Sequence, residues 1–468
     1  MTNWFAWLSR ISTSFFVRKD FVNYRQASAG INTMTKRCLI TNPVSNANLL
    51  VGYLKEQGVD CYAVMEMDKV SKMPTLSEKK KGEFNAELYQ GIFISAEQVP
   101  GPDELPFDII LAGSENGVFI ADILSERHGL PGNDPAYSRL RRHKDAMQRA
   151  LAEAGLACIS THVLEGKAAA QSVLEHWEAY PCVLKPQSSA GGEGVVFCRN
   201  RAELQSAILA ADWGGFSSTW SDNDCFVLQP FVTGKEYVVD MVAQQGTYVV
   251  ASVCRYIRCD ELGIEGCPFV KKFTFLLDPS SAAVRALVDY AKHAASAMGI
   301  ENGAIHMELL DSPNGPVMIE VGARLHGTIT PVLFAHCYAP HLLEQLYFSS
   351  FAPAAELSDA RLIKPGIISD VISTSPGVFG GTPEGLPAAV SQLSSVIGVQ
   401  LNVEEGQPFK KTSDLFSSSM NAAFSHADDA VLWADVQVFE QLTALALNGA
   451  QLSPENWRFL KDEYLAYF

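Results

Sequence analysis

Lys185 heads an unusual run, Lys185-Pro186-Gln187-Ser188-Ser189-Ala190-Gly191-Gly192-Glu193-Gly194. A strand that delivers a lysine into a loop of small residues lets backbone N–H groups approach anionic oxygens, and the ammonium adds a point charge. That is the chemistry of a phosphate cradle, although a tight glycine hairpin would use the same residues. The run is not a Walker motif, because G-x-x-x-x-G-K-[ST] is absent. Nor is it a dinucleotide fingerprint, because a strand and not a helix follows.

A second constellation is Glu308 and Glu320, on two strands joined by Ser312-Pro313-Asn314-Gly315. Two acids brought together on paired strands repel unless a cation or a proton intervenes. Oxygen-only ligands suit Mg²⁺, which keeps waters and shares substrate phosphates. A pair of exposed edge carboxylates would read the same way, but the flanking apolar residues and the following Arg324 weigh against it. A third feature is Gln229-Pro230-Phe231-Val232-Thr233-Gly234-Lys235-Glu236-Tyr237, a strand broken at a proline and resumed after a glycine. Such a break exposes main-chain groups that an adenine edge could meet, and Glu236 could accept from ribose hydroxyls. Many β-bends look alike, so this signal is weak alone.

Elements that would carry these residues alternate along the chain. Strands are expected at 37–41, 60–64, 91–95 and 107–112, with helices at 47–57 and 119–128, which implies a mostly parallel sheet flanked by helices. A helix at 144–154, strands at 182–185 and 195–198, a helix at 202–211 and a strand at 226–232 make a second unit. Alternating stretches at 237–242 and 248–256, a helix at 281–298 and the strands bearing Glu308 and Glu320 make a third. The lysine-bearing segment 67–87 reads as a solvated insertion. The domain organisation is then a non-core segment 1–34, an N-terminal α/β domain 35–135, a lid 136–230, and a large subdomain with a C-terminal extension 231–468.

Composition bounds the function. At 468 residues the chain has room for about three domains. With 47% hydrophobic and 19% charged residues it has a core to bury. Its 36 basic against 52 acidic side chains, a net charge of −16, exclude nucleic acid as the main partner. The ten cysteines include no C-x-x-C pair, and free buried thiols in a reducing cytoplasm are expected. No run of about 18 apolar residues exists, so no stable membrane insertion is expected. The apolar cluster Trp4, Phe5, Trp7, Leu8, Ile11, Phe15 and Phe16 is interrupted or flanked by Arg10, Arg18 and Lys19, and no small-residue cleavage site follows it. An amphipathic surface helix is one reading; a segment preceding the folded core is the one adopted.

Taken in order, Lys144, Lys185 with its glycine loop, the 229–236 hinge, Glu308 and Glu320 resemble the ATP-grasp superfamily. The pattern Glu320-x-Gly322-Ala323-Arg324-x-x-Gly327 resembles its carboxylate–amine ligases, in particular the L-amino-acid ligases related to bacilysin synthetase and the dapdiamide ligases. The resemblance covers roughly residues 36 to 345. It implies an α/β and α+β, three-part ATP-grasp fold with a C-terminal extension, and a cytoplasmic enzyme that uses ATP and one or two Mg²⁺, with Mn²⁺ as a substitute. It further implies small-molecule carboxylate and amine substrates, and it leaves a homodimer open. Lys144 and Lys185 would contact phosphates, and the loop including Ser188, Ser189, Gly191 and Gly192 would close over them. Gln229, Phe231 and Val232 would meet adenine and Glu236 the ribose. Glu308 and Glu320 would hold the metal, and Arg324 would steady the acyl phosphate.

This chain departs from the family at three positions. Gln229 stands where many members carry an acid, so adenine contact there would rest on backbone groups. Gly322 stands where many carry a metal-binding Asn, which shifts weight to waters or phosphate oxygens. His306 takes the place of an arginine in some relatives and is expected to be structural. Ser114-Glu115-Asn116-Gly117, and Asp260 and Glu261 with Glu265, are candidate contacts for a substrate amino group. The expected reaction is amide formation from a carboxylate and an amino-acid amine through an acyl phosphate, releasing ADP and phosphate. An ATP-grasp kinase, which would leave a stable phosphomonoester, and a non-catalytic nucleotide-binding regulatory protein are the alternatives.

Overall fold

The computed structural model describes residues 15–17, 35–72, 84–352, 357–380 and 385–467. Near the N-terminus, β1 (Lys36–Thr41), β2 (Val59–Val64), β3 (Gly91–Phe93) and β4 (Ile109–Ala112) form a parallel sheet in the order β3-β2-β1-β4. Cys38 lies opposite both Cys61 and Ile109. Near-continuous apolar runs such as Cys38-Leu39-Ile40 fit strands covered on both faces. Helix α1 (Ala47–Glu56) packs on one face and α2 (Val118–Arg127) on the other. Three lysines of the expected insertion, Lys79 to Lys81, lie outside the described residues.

The lid is an antiparallel sheet of β5 (His162–Glu165), β6 (Cys182–Pro186), β7 (Val196–Cys198) and β8 (Cys225–Pro230), in the order β5-β8-β6-β7. Strand alternation divides its faces. Cys182 and Leu184 enter the lid core with Leu228 and Ile208, whereas Val183 and Lys185 face the cleft below. The lid was expected to begin at 136, but α3 (Lys144–Glu153) belongs elsewhere. Its Met147 and Leu151 are buried in the core of the large sheet, and Arg141 just before it donates to the carbonyls of Met298 and Gly299, each at 3.2 Å.

Among the described residues the large sheet has nine strands. Its cleft half comprises β9 (Lys235–Gln244), β10 (Thr247–Arg258), β11 (Lys271–Leu277), β12 (Gly303–Ser312) and β13 (Gly315–Gly322), ordered β11-β10-β9-β12-β13. The expected C-terminal extension continues this sheet beyond β11 through β14 (Ile367–Asp370), β15 (Val396–Leu401) and β16 (Met420–Phe424). Three residues of the segment expected to stand outside the core, Phe15–Val17, pair antiparallel with β15 at the far edge; the rest of 1–34 lies outside the described residues. One face is covered by α4 (Arg285–Ala297), α5 (Asp429–Ala446) and α6 (Pro454–Leu465), burying Tyr237, Phe273 and Phe439. The other face shares a continuous core with the N-terminal sheet, in which Leu50 and Cys38 lie in one cluster with Val238 and Cys254. All ten cysteines are free thiols, and no helix among the described residues is long and apolar enough to cross a membrane.

Candidate active site

A cleft of about 510 Å³ opens between the lid sheet and the floor made by β9 to β13. The structure brings Lys144, Lys185, Gly191, Gly192, Gln229, Phe231, Val232, Glu236, Glu308, Glu320 and Arg324 to its walls. Ser188 and Ser189 do not line it. The Ser188 carbonyl accepts from Thr219 Oγ1 at 3.2 Å, and its hydroxyl accepts from Ser221 at 3.3 Å, so this residue faces the 217–221 loop. Ser189 is buried, and its carbonyl takes the Lys144 ammonium at 3.0 Å. The correction has a simple cause: only the glycines adopt the left-handed backbone, φ +64° at Gly191 and +80° at Gly192, that turns the loop tip over the cleft.

The two acids meet through a bulge: the register that pairs Leu309 with Met318 shifts at Glu308, so Ile319 is passed over and Glu320 comes opposite Glu308. Glu308 and Glu320 are direct cross-strand partners on β12 and β13. Like charges placed opposite each other destabilise a sheet, and the surroundings answer with cations. Lys144 Nζ is 3.2 Å from Glu320 Oε2, and His306 Nε2 is 3.5 Å from Glu308 Oε1. The other oxygen of each carboxylate makes no protein hydrogen bond among the described residues. Burial pushes both carboxyls up; the His306 hydrogen bond and charge outweigh it at Glu308, which lies below its ordinary range, whereas Glu320 stays above it despite Lys144. Two opposed carboxylates with open oxygens fit a hard divalent cation such as Mg²⁺. Burial, and then the charge of Lys144, lower the Lys185 ammonium to about 8.

No third protein ligand stands at Gly322. A Cβ there would lie 2.7 Å from Glu115 Oε2 and 3.3 Å from Arg324 Nε. Glu115 was expected as a substrate contact, but its carboxylate is committed to two guanidiniums, Arg142 Nη1 at 2.8 Å and Arg324 Nε at 2.8 Å. Those two charges outweigh burial and hold Glu115 below the ordinary carboxylate range. Asp260 and Glu261 are likewise spent on arginines: Asp260 on Arg258 at 3.1 Å, and Glu261 on Arg255.

At the opposite end, Phe231 stacks edge-on to Phe197 with centroids 4.9 Å apart, and Phe269 stands 6.1 Å from Phe231. These rings give an apolar slot for a flat base. The Gln229 side-chain amide donates to Thr161 Oγ1 at 2.7 Å, and the Phe231 N–H donates to the Pro181 carbonyl at 2.9 Å. Val232 has no backbone partner and the Phe231 carbonyl accepts none among the described residues, so these are the main-chain groups able to meet a base. Glu236 faces Arg258 Nη1 at 3.4 Å, and burial with the nearby Glu308 charge raises its carboxyl to about 7.

Behind Glu308 runs a chain absent from the sequence expectations. Fully buried Asp240 accepts from His306 Nδ1 and from His326 Nδ1, each at 2.9 Å, and from Ser252 at 2.6 Å. His326 Nε2 meets the Tyr256 hydroxyl at 2.8 Å. The hydrogen bonds close on themselves, so the triangle needs no metal to be satisfied. Flanking charge and hydrogen bonds outweigh burial and hold Asp240 ionised; burial lowers His326 to about 4. The available signal was an acid inside the otherwise apolar run of β9, between Val239 and Met241.

The description "ATP-grasp domain" matches residues 178–332, which hold the glycine loop, the hinge and both acids. A dapdiamide A synthase from Enterobacter agglomerans is 32% identical over 324 residues, covering 66% of this chain and 73% of that one. The chain belongs to the ATP-grasp family of carboxylate–amine ligases. This ligase also superposes on solved structures. An L-amino acid ligase from Bacillus licheniformis gives a TM-score of 0.66 at 18% identity, covering 88% of this chain and 98% of that one. A carboxyaminoimidazole ribonucleotide synthase from Aspergillus clavatus, complexed with ATP, gives 0.62 at 12% identity, covering 88% and 99%. At such identities the superpositions establish the three-part fold of this ligase.

Proposed function

We propose that this ligase forms an amide between the carboxylate of an amino acid, or of an amino-acid derivative, and the amine of a second amino acid. The observation that carries the reading is the pair Glu308 and Glu320 on the cleft floor, with Lys144 3.2 Å from Glu320, Lys185 facing them from the lid and Arg324 beside them. A free carboxylate is a poor acyl donor because its leaving group is oxide. Attack of its oxygen on the γ-phosphorus of ATP gives an acyl phosphate and ADP. The amine then attacks the acyl carbon, phosphate leaves, and one proton is lost from nitrogen. Phosphoryl transfer rests on positioning and charge. Lys144 and Lys185 bind and orient phosphate oxygens, and Arg324, braced by Glu115, supports the anionic acyl centre. Mg²⁺ held by Glu308 and Glu320 would neutralise phosphate charge, with Mn²⁺ as a substitute. Gly191 and Gly192 shield the acyl phosphate from water.

Two likenesses support the amino-acid class: the dapdiamide A synthase in sequence and the L-amino acid ligase in fold. The test is ADP release with single amino acids and with pairs, coupled to mass detection of the product. Growth of ADP only when both partners are present, together with a new amide mass, is the expected result. If no carboxylate and amine pair stimulates ADP formation, the reading fails.

A further inference from the structure

The cleft floor extends past the reacting centre to Lys271, the first residue of β11, which lines it. The strand register slips at this point. Ile257 pairs with Phe273, but Arg258 pairs with Lys271, so Lys272 is an extra residue opposite one position of β10. Such bulges re-aim side chains beside active sites. Here the slip separates two adjacent lysines. Lys272 reaches into the core behind the sheet, 2.6 Å from Glu440 and 3.2 Å from Ser369 Oγ. Lys271 instead faces the cleft, 4.7 Å above the Tyr256 ring and 3.5 Å from Thr274 Oγ1.

An ammonium carries three N–H donors, and Lys271 is only 7% exposed. Thr274 satisfies one at the limit of hydrogen-bond distance, and buried Asp370 forms a long ion pair at 3.8 Å without a hydrogen bond, which leaves the remaining donors unfilled. The neighbouring Arg258 is by contrast engaged with both Glu236 and Asp260. A nearly buried cation with spare donors on a cleft wall favours an anionic ligand. That anion is separate from the phosphates: β11 lies three strands from the strand of Glu308, roughly 14 Å at about 4.8 Å per strand. The phosphate side already has Lys144 and Lys185. Lys271 belongs instead with Tyr256 and the His326 bonded to it.

A pair of α-amino acids brings two carboxylates. One is phosphorylated and must lie by Glu308, Glu320 and Arg324; the acceptor's passes unchanged into the product. We infer that Lys271 is the specificity determinant that holds this unreacted carboxylate, so that the amine substrate is a free α-amino acid. The inference rests on the amide-ligase reading above.

The test uses the full-length enzyme with saturating ATP and a pair that supports ADP release, comparing the acceptor amino acid with its carboxamide. The wild type should favour the free acid. In Lys271→Gln, kcat/KM for the free acid should fall by about tenfold or more, as expected for losing a charge-assisted hydrogen bond. The preference over the carboxamide should vanish, and KM for ATP should stay within about twofold. Lys271→Arg should recover part of the preference, which keeps the test decisive should the glutamine variant fold poorly. An undiminished preference in Lys271→Gln overturns the inference, and so does a loss expressed in KM for ATP, which would make Lys271 a phosphate contact. Absence of ADP release from the wild type with every pair would sink the ligase reading itself, a distinct outcome.

Discussion

Glu115 fills the space where Gly322 would carry a side chain: a Cβ on that glycine would stand 2.7 Å from Glu115 Oε2. The carboxylate comes from the turn that follows β4 of the N-terminal domain and the glycine from the strand of Glu320. The pairing therefore accounts for the missing asparagine of the family pattern. A side chain at 322 would dislodge the partner that braces Arg324. Gly322→Asn should cost about 1–3 kcal/mol by overpacking, and more where the Arg324 pair is lost. Combining it with Glu115→Ala should return part of that stability, read as a coupling energy in urea denaturation. A Gly322→Asn protein as stable and as active as the parent would refute the steric account.

Two neighbouring groups set opposite limbs of a pH profile. Lys185, lowered to about 8, carries its charge below that pH and loses it above. Glu236, raised to about 7, is ionised above that pH and protonated below. The form with both charges therefore peaks between pH 7 and 8, and kcat/KM for ATP, which reports the free enzyme, should be bell-shaped there. Glu236→Gln should flatten the acidic limb. Lys185→Arg should move the alkaline limb up beyond the range assayed. A flat profile from pH 6 to 9 contradicts both assignments.

Asp240 reaches the Glu308 carboxylate through His306. Asp240→Asn leaves His306 and His326 without their shared anion, and breaking such buried pairs costs about 3–5 kcal/mol. Beyond stability, His306 loses the carboxylate that holds it against Glu308. Calorimetry should then show Mg²⁺·ADP binding weakened more than metal-free ADP binding. Equal weakening of the two would leave Asp240 a purely structural residue.

Trp220 of the lid is 6% exposed, packed with Val44, Met65 and Val70 of the N-terminal sheet region. Truncating a buried tryptophan costs about 3–5 kcal/mol, and here the loss falls on a contact between domains. Trp220→Ala should raise KM for ATP and speed proteolytic nicking at Gly191–Gly194. Unchanged nicking would show that this contact does not hold the lid.

Much of the chemistry was legible because it is local. Glu308 and Glu320 are joined by one short turn, and Lys185 leads directly into its glycine loop, so spacing placed them on neighbouring elements, although the bulge at Glu308 that makes the two acids face each other left no mark in the sequence. The N-terminal strands were legible too, as unbroken apolar runs. What escaped depends on distant segments or on register. Glu115 meets Arg324 across 209 positions. Lys271 faces the cleft only because β11 slips against β10, and no hydropathy pattern marks a slip. Helix α3 reads as part of the lid by position, yet Met147 and Leu151 find their core on the other side of the cleft. Asp240 alone left a trace, as an acid in an apolar strand, because only paired acids survive burial there.

The C-terminal extension carries no motif, yet the Leu415 N–H donates to the Gly191 carbonyl at 3.0 Å, and Leu415 and Ser413 line the cleft. The rim of the cleft is thus built by a part of the chain that sequence signatures ignore. Two ligases sharing each of the cleft-lining residues named above, but differing after residue 400, would present their glycine loops against different supports. Grafting one tail onto the other enzyme would then retune lid timing while the reacting atoms met the same side chains.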